Sequence, residues 1–111
     1  HHPRYSSGLH GSDETMADLW STLARAGADV VLAGHDHHYE RFAPIDGIRS
    51  FVVGTGGRSH YPVLWRVRGS QVVNDGTFGV LRLTLRTDSY DWRFLPVARS
   101  SFSDRGTGSC R

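Results

Sequence analysis

The sequence contains no lysine, a single cysteine and no long apolar run. All thirteen basic residues are arginines, scattered from Arg4 to Arg111, and the formal net charge is only +2. Because these arginines form no basic run, the composition argues against a nucleic-acid-binding tail. No apolar stretch approaches the ~20 residues that a membrane-spanning helix requires. We therefore expect neither nucleic acid nor a membrane to be a partner.

The lone cysteine, Cys110, has no second cysteine in the chain with which to form a disulfide. It could pair with a cysteine elsewhere or stay a free thiol, so it does not identify the redox compartment. The sequence has no initiator methionine and opens on His1-His2-Pro3, inside a loop-like stretch. With 111 residues, 38% of them hydrophobic, the composition is that of an ordinary globular domain. We expect these residues to be part of a longer protein.

The hydrophobic pattern predicts one helix and several strands. A helix is predicted over 13–26, with Ser12 as N-cap, Gly27 at its end, and an apolar stripe made by Met16, Leu19, Trp20 and Leu23. Strands are predicted over 29–33 and 49–53, followed by a hairpin over 78–86 and 90–94. A loop is predicted over 59–73 and an irregular tail over 100–111. The glycine-rich stretch 54–58 lacks the lysine and spacing of a nucleotide-binding loop, so we interpret it as a tight turn at the mouth of a site.

Histidines follow the first predicted strand. Residues 29–33 are expected to form a buried strand, and Gly34 to let the backbone turn away with unusual dihedral angles. Side chains alternate along extended backbone, so His35 and His37 are expected on one side and Asp36 on the other. Imidazoles at the carboxyl end of a strand favour a metal site, and Asp36 could orient one of them. The alternative is a solvated loop that happens to hold histidines.

Two motifs carry a resemblance to a known family. They are His1-X-Pro3-X-Tyr5 with a nearby His10-Gly11, and Gly34-His35-X-His37-X-Tyr39-Glu40-Arg41 after the predicted helix. This arrangement is similar to the C-terminal half of the calcineurin-like metallophosphoesterases, and most similar to the purple acid phosphatase branch. The ending Phe102-X-Asp104-X-Gly106-X-Gly108-X-Cys110 resembles the close of bacterial members. The resemblance implies an α/β (α+β) fold, the C-terminal portion of a β-sandwich of mixed sheets flanked by helices.

The resemblance also implies roles for individual residues. His1 and His35 would bind one metal ion, and His37 the other ion of a dinuclear pair of Fe, Zn or Mn. His10 would be catalytic, binding the phosphate or protonating the leaving group. Glu40 and Arg41 are expected to form an internal ion pair. Such a site hydrolyses phosphate monoesters by attack of a metal-activated hydroxide.

Several family motifs are missing from this sequence, namely an Asp-X-His or Asp-X-X-Tyr element, a Gly-Asp motif with a bridging aspartate, and a Gly-Asn-His motif. We therefore expect residues 1–111 to be a C-terminal fragment of one domain, inactive without its N-terminal half. The parent is expected to be an enzyme that acts on small phosphate esters, secreted or otherwise extracytoplasmic. A phosphodiesterase or nucleotidase on the same scaffold, or a metal-binding module without catalysis, are the alternatives.

Overall fold

Seven strands and one α-helix form within residues 1–97 and 99–111, which are the residues that the computed structural model describes. In chain order they are a 3₁₀ turn (Glu14–Met16), α1 (Ala17–Arg25), β1 (Val30–Ala33), β2 (Tyr39–Phe42), β3 (Arg49–Val53), β4 (Ser70–Asn74), β5 (Gly79–Leu85), β6 (Ser89–Pro96) and β7 (Arg105–Ser109).

The strands make two sheets. In the first, with the order β1-β3-β2-β4, β1 runs parallel to β3 while β2 is antiparallel to both β3 and β4. The second has the order β5-β6-β7 and is antiparallel throughout its described residues. The predicted α+β fold class is therefore confirmed, with one mixed sheet and one antiparallel sheet. The predicted hairpin is the β5–β6 pair.

Aromatic side chains fill the space between the two sheets. The buried set consists of Tyr39, Phe51, Tyr90, Trp92 and Phe94. The rings of Tyr39 and Phe94 lie 4.7 Å apart, and those of Phe51 and Trp92 lie 5.9 Å apart, so pairs form across the sheets. Such pairs contribute ~0.5–1.5 kcal/mol in addition to the free energy gained from the area that they bury. The alternation of Tyr90, Trp92 and Phe94 thus predicted a core face correctly.

The carboxylate of Asp104 joins the two sheets at the edge of this core. It accepts hydrogen bonds from Tyr39 Oη at 2.6 Å, Arg41 Nε at 2.7 Å and Trp92 Nε1 at 3.2 Å. Burial opposes ionisation of Asp104, but the bonds from Arg41 and Tyr39 outweigh it and hold the pKa of Asp104 below its ordinary value. Arg41 is therefore paired with Asp104 and not with Glu40. The expected Glu40–Arg41 ion pair was wrong.

The helix is shorter than predicted and starts differently. Asp13, not Ser12, is the cap of the 3₁₀ turn that precedes α1, since its Oδ1 accepts from the Thr15 N–H at 2.9 Å, whereas the N-cap of α1 itself, Met16, makes no side-chain cap hydrogen bond. α1 ends at Arg25, two residues before Gly27, which adopts a φ of +79°. Of the predicted stripe only Trp20 is buried, and Leu19 is 55% exposed, because α1 packs on the N-terminal loop through Trp20 and not along its whole length. Within the described residues, no helix is long and apolar enough to cross a membrane.

Three strands were missed in the sequence: β2, directly after the histidine cluster, β4, inside the predicted loop except for Asn74, and β7, inside the predicted irregular tail. β7 pairs with β6 although it reads Arg-Gly-Thr-Gly-Ser, a composition with low strand propensity. Its glycines face the aromatic side chains of β6. A Cβ on Gly106 would lie 2.3 Å from Trp92 Cζ2, and one on Gly108 would lie 2.3 Å from Tyr90 Cζ. The large rings of β6 therefore require glycine opposite them, and tertiary packing overrides propensity.

β1 also differs from the prediction, because it lies at an edge of its sheet and not in the interior. Leu32 is 53% exposed, although its neighbours in β1 are partly buried. β5 lies at the edge of the second sheet, and Val80 and Leu85 on it are 59% and 73% exposed. Both sheets therefore present an apolar edge.

Replacing Gly106 with alanine should lower the free energy of unfolding by about 1–3 kcal/mol, the usual cost of overpacking, because the added methyl group would collide with the Trp92 ring. Gly76→Ala is the matched control, since a Cβ at Gly76 meets nothing within 4 Å. Urea unfolding of both variants measures the difference. Equal stability of the two would show that β7 does not pack on β6 in this way.

Replacing Asp104 with asparagine should lower the free energy of unfolding by about 3 kcal/mol near neutral pH, because Arg41 would keep a buried charge without its partner. A carboxylate with a lowered pKa stabilises the fold above its unfolded-state value of 3.8, and this contribution is lost as the pH falls through the lower folded-state pKa. The free energy of unfolding of the wild type should therefore fall below about pH 4, and that of Asp104→Asn should fall less. Asp91→Asn is the control, with little change expected, because the pair of Asp91 with Arg86 is partly open to solvent.

Candidate metal centre

Two buried carboxylates, Asp36 between β1 and β2 and Glu40 on β2, hold the N-terminal loop, residues 1–12, in place. Asp36 Oδ2 accepts from Ser6 Oγ at 2.5 Å, while Asp36 Oδ1 accepts from both the backbone N–H and Nδ1–H of His10, at 2.9 and 2.8 Å. Glu40 accepts from the backbone N–H of Ser7 at 2.8 Å and from Ser7 Oγ at 2.6 Å. Both carboxylates are fully buried. The loop therefore satisfies charges that would otherwise be costly to bury.

The same contacts shift the pKa of each carboxylate. Burial opposes ionisation of Asp36, but the hydrogen bonds from Ser6 and His10 outweigh it and lower the pKa below its ordinary value. For Glu40, burial is likewise outweighed by hydrogen bonds from His38 and Ser7, so its pKa is also lowered. Both groups are therefore anions that anchor the loop over the neutral pH range.

Space for the Asp36 carboxylate depends on a glycine in the loop. A Cβ at Gly8 would lie 2.3 Å from the Asp36 carboxyl carbon. Gly8 N–H also donates to Ser6 Oγ at 3.0 Å. The stretch Ser6-Ser7-Gly8, which the sequence analysis treated only as loop-forming, is thus what fits the loop onto Asp36 and Glu40.

Three imidazoles gather where this loop meets the end of β1. Gly34 N–H donates to the His1 carbonyl at 3.0 Å, which places His1 beside the end of the strand, and His1 Nε2 lies 3.1 Å from His35 Nδ1. His2 joins them, because one nitrogen from each of His1, His2 and His35 lies within 4.8 Å of the other two. The sequence analysis left His2 out of this group.

The backbone after β1 bends where extended chain was expected. His35 adopts a φ of +64°, and two tight hydrogen bonds follow, from Asp36 N–H to Gly34 O at 2.8 Å and from His38 N–H to Asp36 O at 3.0 Å. The left-handed residue is therefore His35 and not Gly34, and strand alternation does not govern the directions of His35 and His37. A non-glycine residue in this region is uncommon and costs ~1–3 kcal/mol, which the anchored loop must offset.

His37 lies outside the three-histidine group and contacts another loop. Its Nδ1–H donates to the Ser59 carbonyl at 2.8 Å, and its ring stacks on Tyr61 with centroids 4.4 Å apart. Since a carbonyl can only accept, Nδ1 carries the proton and Nε2 keeps its lone pair. That hydrogen bond is the type that orients metal-binding imidazoles. Tyr61, which the sequence analysis did not single out, also lies 5.7 Å from the His10 ring.

His10 lies between these two groups. Its ring centroid is 4.3 Å from that of His35, and Asp36 fixes Nδ1 as the protonated nitrogen. Partial burial, then the charges of neighbouring His10 and His2, lower the pKa of His35. A lowered pKa favours the neutral imidazole, which is the form that binds a metal ion.

The three-histidine group has donors of the right kind and spacing for one metal ion. Imidazole nitrogens bind zinc at ~2.0–2.1 Å, so two of them on a tetrahedral ion lie roughly 3.4 Å apart. The 3.1 Å between His1 Nε2 and His35 Nδ1 is close to that separation. His1 and His2 are exposed and His35 is partly buried, so the group is open to solvent. The residues present therefore fit a histidine-bound metal ion.

Comparison with known proteins gives a partial match in sequence and a match in fold. No family model matches the chain. A stretch of 48 residues, 40% of the chain, is 52% identical to purple acid phosphatase 21 of Arabidopsis thaliana. In structure, the chain is similar to a Plasmodium protein described as "GAP50 the anchor in the inner membrane complex", with a TM-score of 0.87 over 99% of this chain and 20% identity, a likeness that shows the fold alone. The chain spans 11% of the first protein and 35% of the second.

Asp36 should set the tautomer of His10, and this can be measured without metal or substrate. Long-range ¹H–¹⁵N spectra should show the His10 proton on Nδ1, because a carboxylate accepts more strongly than water or an amide. Asp36→Asn should raise the fraction protonated on Nε2, whereas Ser6→Ala, which removes the bond to Oδ2 but leaves the carboxylate and its bond through Oδ1 to His10, should not. A wild-type spectrum with the proton on Nε2 would contradict the hydrogen bond itself.

Proposed function

We propose that this chain contributes part of a dinuclear metal-dependent phosphatase that hydrolyses phosphate monoesters. The observation that carries the proposal is the convergence of His1 Nε2 and His35 Nδ1, 3.1 Å apart, from segments 34 positions apart in the sequence. A loop anchored through two buried carboxylates makes that convergence part of the fold. The 48-residue match to a purple acid phosphatase supports the same class of chemistry.

The residues divide into metal-binding and substrate-binding roles. His1 and His35 would bind one ion, and His37, with its free Nε2, the second. His2 lies close enough to add a ligand to the first ion. Two bound ions of Fe, Zn or Mn would supply Lewis acidity and an activated water for attack on phosphorus. His10, held by Asp36, would hydrogen-bond the phosphate or the leaving oxygen as the catalytic residue that is not a ligand.

The proposal includes a second part of the domain, upstream of His1. Both sheets end in an exposed edge strand, β1 in one and β5 in the other. Leu32 and Val80, from these two strands, line one cleft together with His1. Added strands would cover this apolar cleft and could bring the remaining metal ligands to His1, because strand edges are ready templates for pairing. The resemblance also favours an extracytoplasmic location for the complete protein.

A non-catalytic binding module is the second candidate, because the Plasmodium protein with the same fold is described as an anchor. Within the described residues, only one group of three histidines, cysteines or carboxylates has the spacing for a metal ion. A phosphodiesterase or nucleotidase remains the third. These candidates differ in which phosphate ester, if any, the complete protein hydrolyses.

Metal binding and hydrolysis together test the proposal. By calorimetry with Zn²⁺ or Mn²⁺, the 111-residue chain should bind weakly, and binding should vanish in the double variant His35→Ala, His37→Ala. In the complete protein, His35→Ala should lower kcat/KM for phenyl phosphate by about 100-fold, in the range reported for lost metal-site interactions. Ser21→Ala is the control, since Ser21 is an exposed residue of α1.

Metal binding that survives the double variant would show that other residues are the ligands. Metal binding by the complete protein without release of phosphate from any monoester or diester would instead favour the non-catalytic module.

A further inference from the structure

A cleft between the N-terminal loop and the loops before β3 and β4 has no role in the proposal above. It has a volume of about 690 Å³, within the range of small-molecule sites. The N-terminal loop forms one wall through Arg4 and Tyr5, and the loops before β3 and β4 form the other through Ile45 and Arg68. We refer to it as the Arg4–Arg68 cleft.

The lining combines apolar surface with arginine. Ala43, Pro44, Ile45 and Val67 supply the apolar part, and the Tyr5 ring adds an aromatic surface. Tyr5 is itself held in place, because its ring packs edge-on against the buried Trp20 with centroids 5.1 Å apart. Such a surface suits a flat, largely apolar group of about the size of a substituted benzene ring.

The charges in the cleft favour an anion. Arg4 Nη1 donates to Glu14 Oε1 at 2.9 Å and its guanidinium lies 4.6 Å above the Tyr5 ring, so Arg4 is largely neutralised and fixed. Arg68 makes no ion pair with any residue in 1–97 or 99–111. One positive charge therefore remains, on a guanidinium that can bind a carboxylate or phosphate through two parallel N–H groups.

The cleft adjoins the histidine site. A second cleft, of about 370 Å³, is lined by His2, His10 and His35, and Ser12 and Glu14 line both clefts. The loop that carries Arg68 is also fastened to the N-terminal loop, since Val67 N–H donates to Ser7 Oγ at 2.9 Å. A phosphate at the histidines could therefore extend its ester group past Ser12 into the Arg4–Arg68 cleft.

We propose that the Arg4–Arg68 cleft binds the leaving group of the phosphate ester and selects leaving groups that join an apolar ring to a carboxylate or a second phosphate. Tyr5 and Ile45 contact the ring, and Arg68 binds the distal anion. The inference rests on the proposed function, because the ester is hydrolysed at the histidines. Binding of the ester in the cleft does not depend on that hydrolysis. Arg68 is in this sense a specificity residue, remote from the reacting atoms.

The test compares 4-carboxyphenyl phosphate with 4-carbamoylphenyl phosphate, which has nearly the same size but no distal charge. In the complete protein, the ratio of kcat/KM for the acid over the amide should fall about fivefold in Arg68→Ala, the size expected of one partly exposed ion pair. Comparing ratios between variants cancels the intrinsic reactivity of the two esters. Arg25→Ala, which removes the same charge from the exposed C-terminal end of α1, should leave the ratio unchanged.

Binding of the same two esters, measured by calorimetry in the complete protein, separates this inference from the proposed function. If neither ester is hydrolysed but the acid binds more tightly than the amide, and Arg68→Ala removes the preference, the cleft assignment stands and the phosphatase proposal fails. If the preference is absent, or is the same in wild type, Arg68→Ala and Arg25→Ala, the cleft assignment is overturned even when both esters are hydrolysed.

Discussion

The geometry of the histidine site depends on two buried carboxylates, Asp36 and Glu40. Each would cost several kcal/mol to bury as an unpaired ion, and each is satisfied almost entirely by donors from residues 6–10 and by His38. If the N-terminal loop detached, these carboxylates would be exposed to water or left buried without hydrogen-bond donors. Because His1, His2 and His10 belong to that loop, the site forms only when the fold is complete around it.

Asp104 works in the same way between the two sheets. It collects donors from β2 and β6, and its own position at the start of β7 ties the end of the chain to both. The three carboxylates thus connect segments that are far apart in sequence, at 30, 33 and 65 residues for the bonds to Ser6, Ser7 and Tyr39. Directional bonds of this kind specify which loop meets which strand, while the aromatic core supplies the nonspecific burial.

The sequence predicted the elements whose signal is local. The β5–β6 hairpin, β3 and the helix region follow from alternation, apolar runs and the glycine at position 27, which need no knowledge of partners. β7 was missed because its glycines are required only by the rings of Trp92 and Tyr90 on the neighbouring strand, which the local sequence does not reveal. β1 was expected in the interior, yet strand composition alone cannot reveal which strand lies at an edge. The pairing of Arg41 was also misjudged, because neighbours in sequence on a strand face opposite sides.

At the site, local patterns predicted the α+β fold class and the pair His35 and His37, and the resemblance to a family, carried by the motifs, added His1 and His10. Only the tertiary structure decided which imidazoles meet. It brought His2 beside His1 and His35, placed His37 against Ser59 and Tyr61, and set Asp36 under His10. The physical reason is that a motif fixes side chains only relative to its own backbone. The left-handed turn at His35 and the fastening of a distant loop are set by long-range hydrogen bonds to buried charges, which local sequence does not encode.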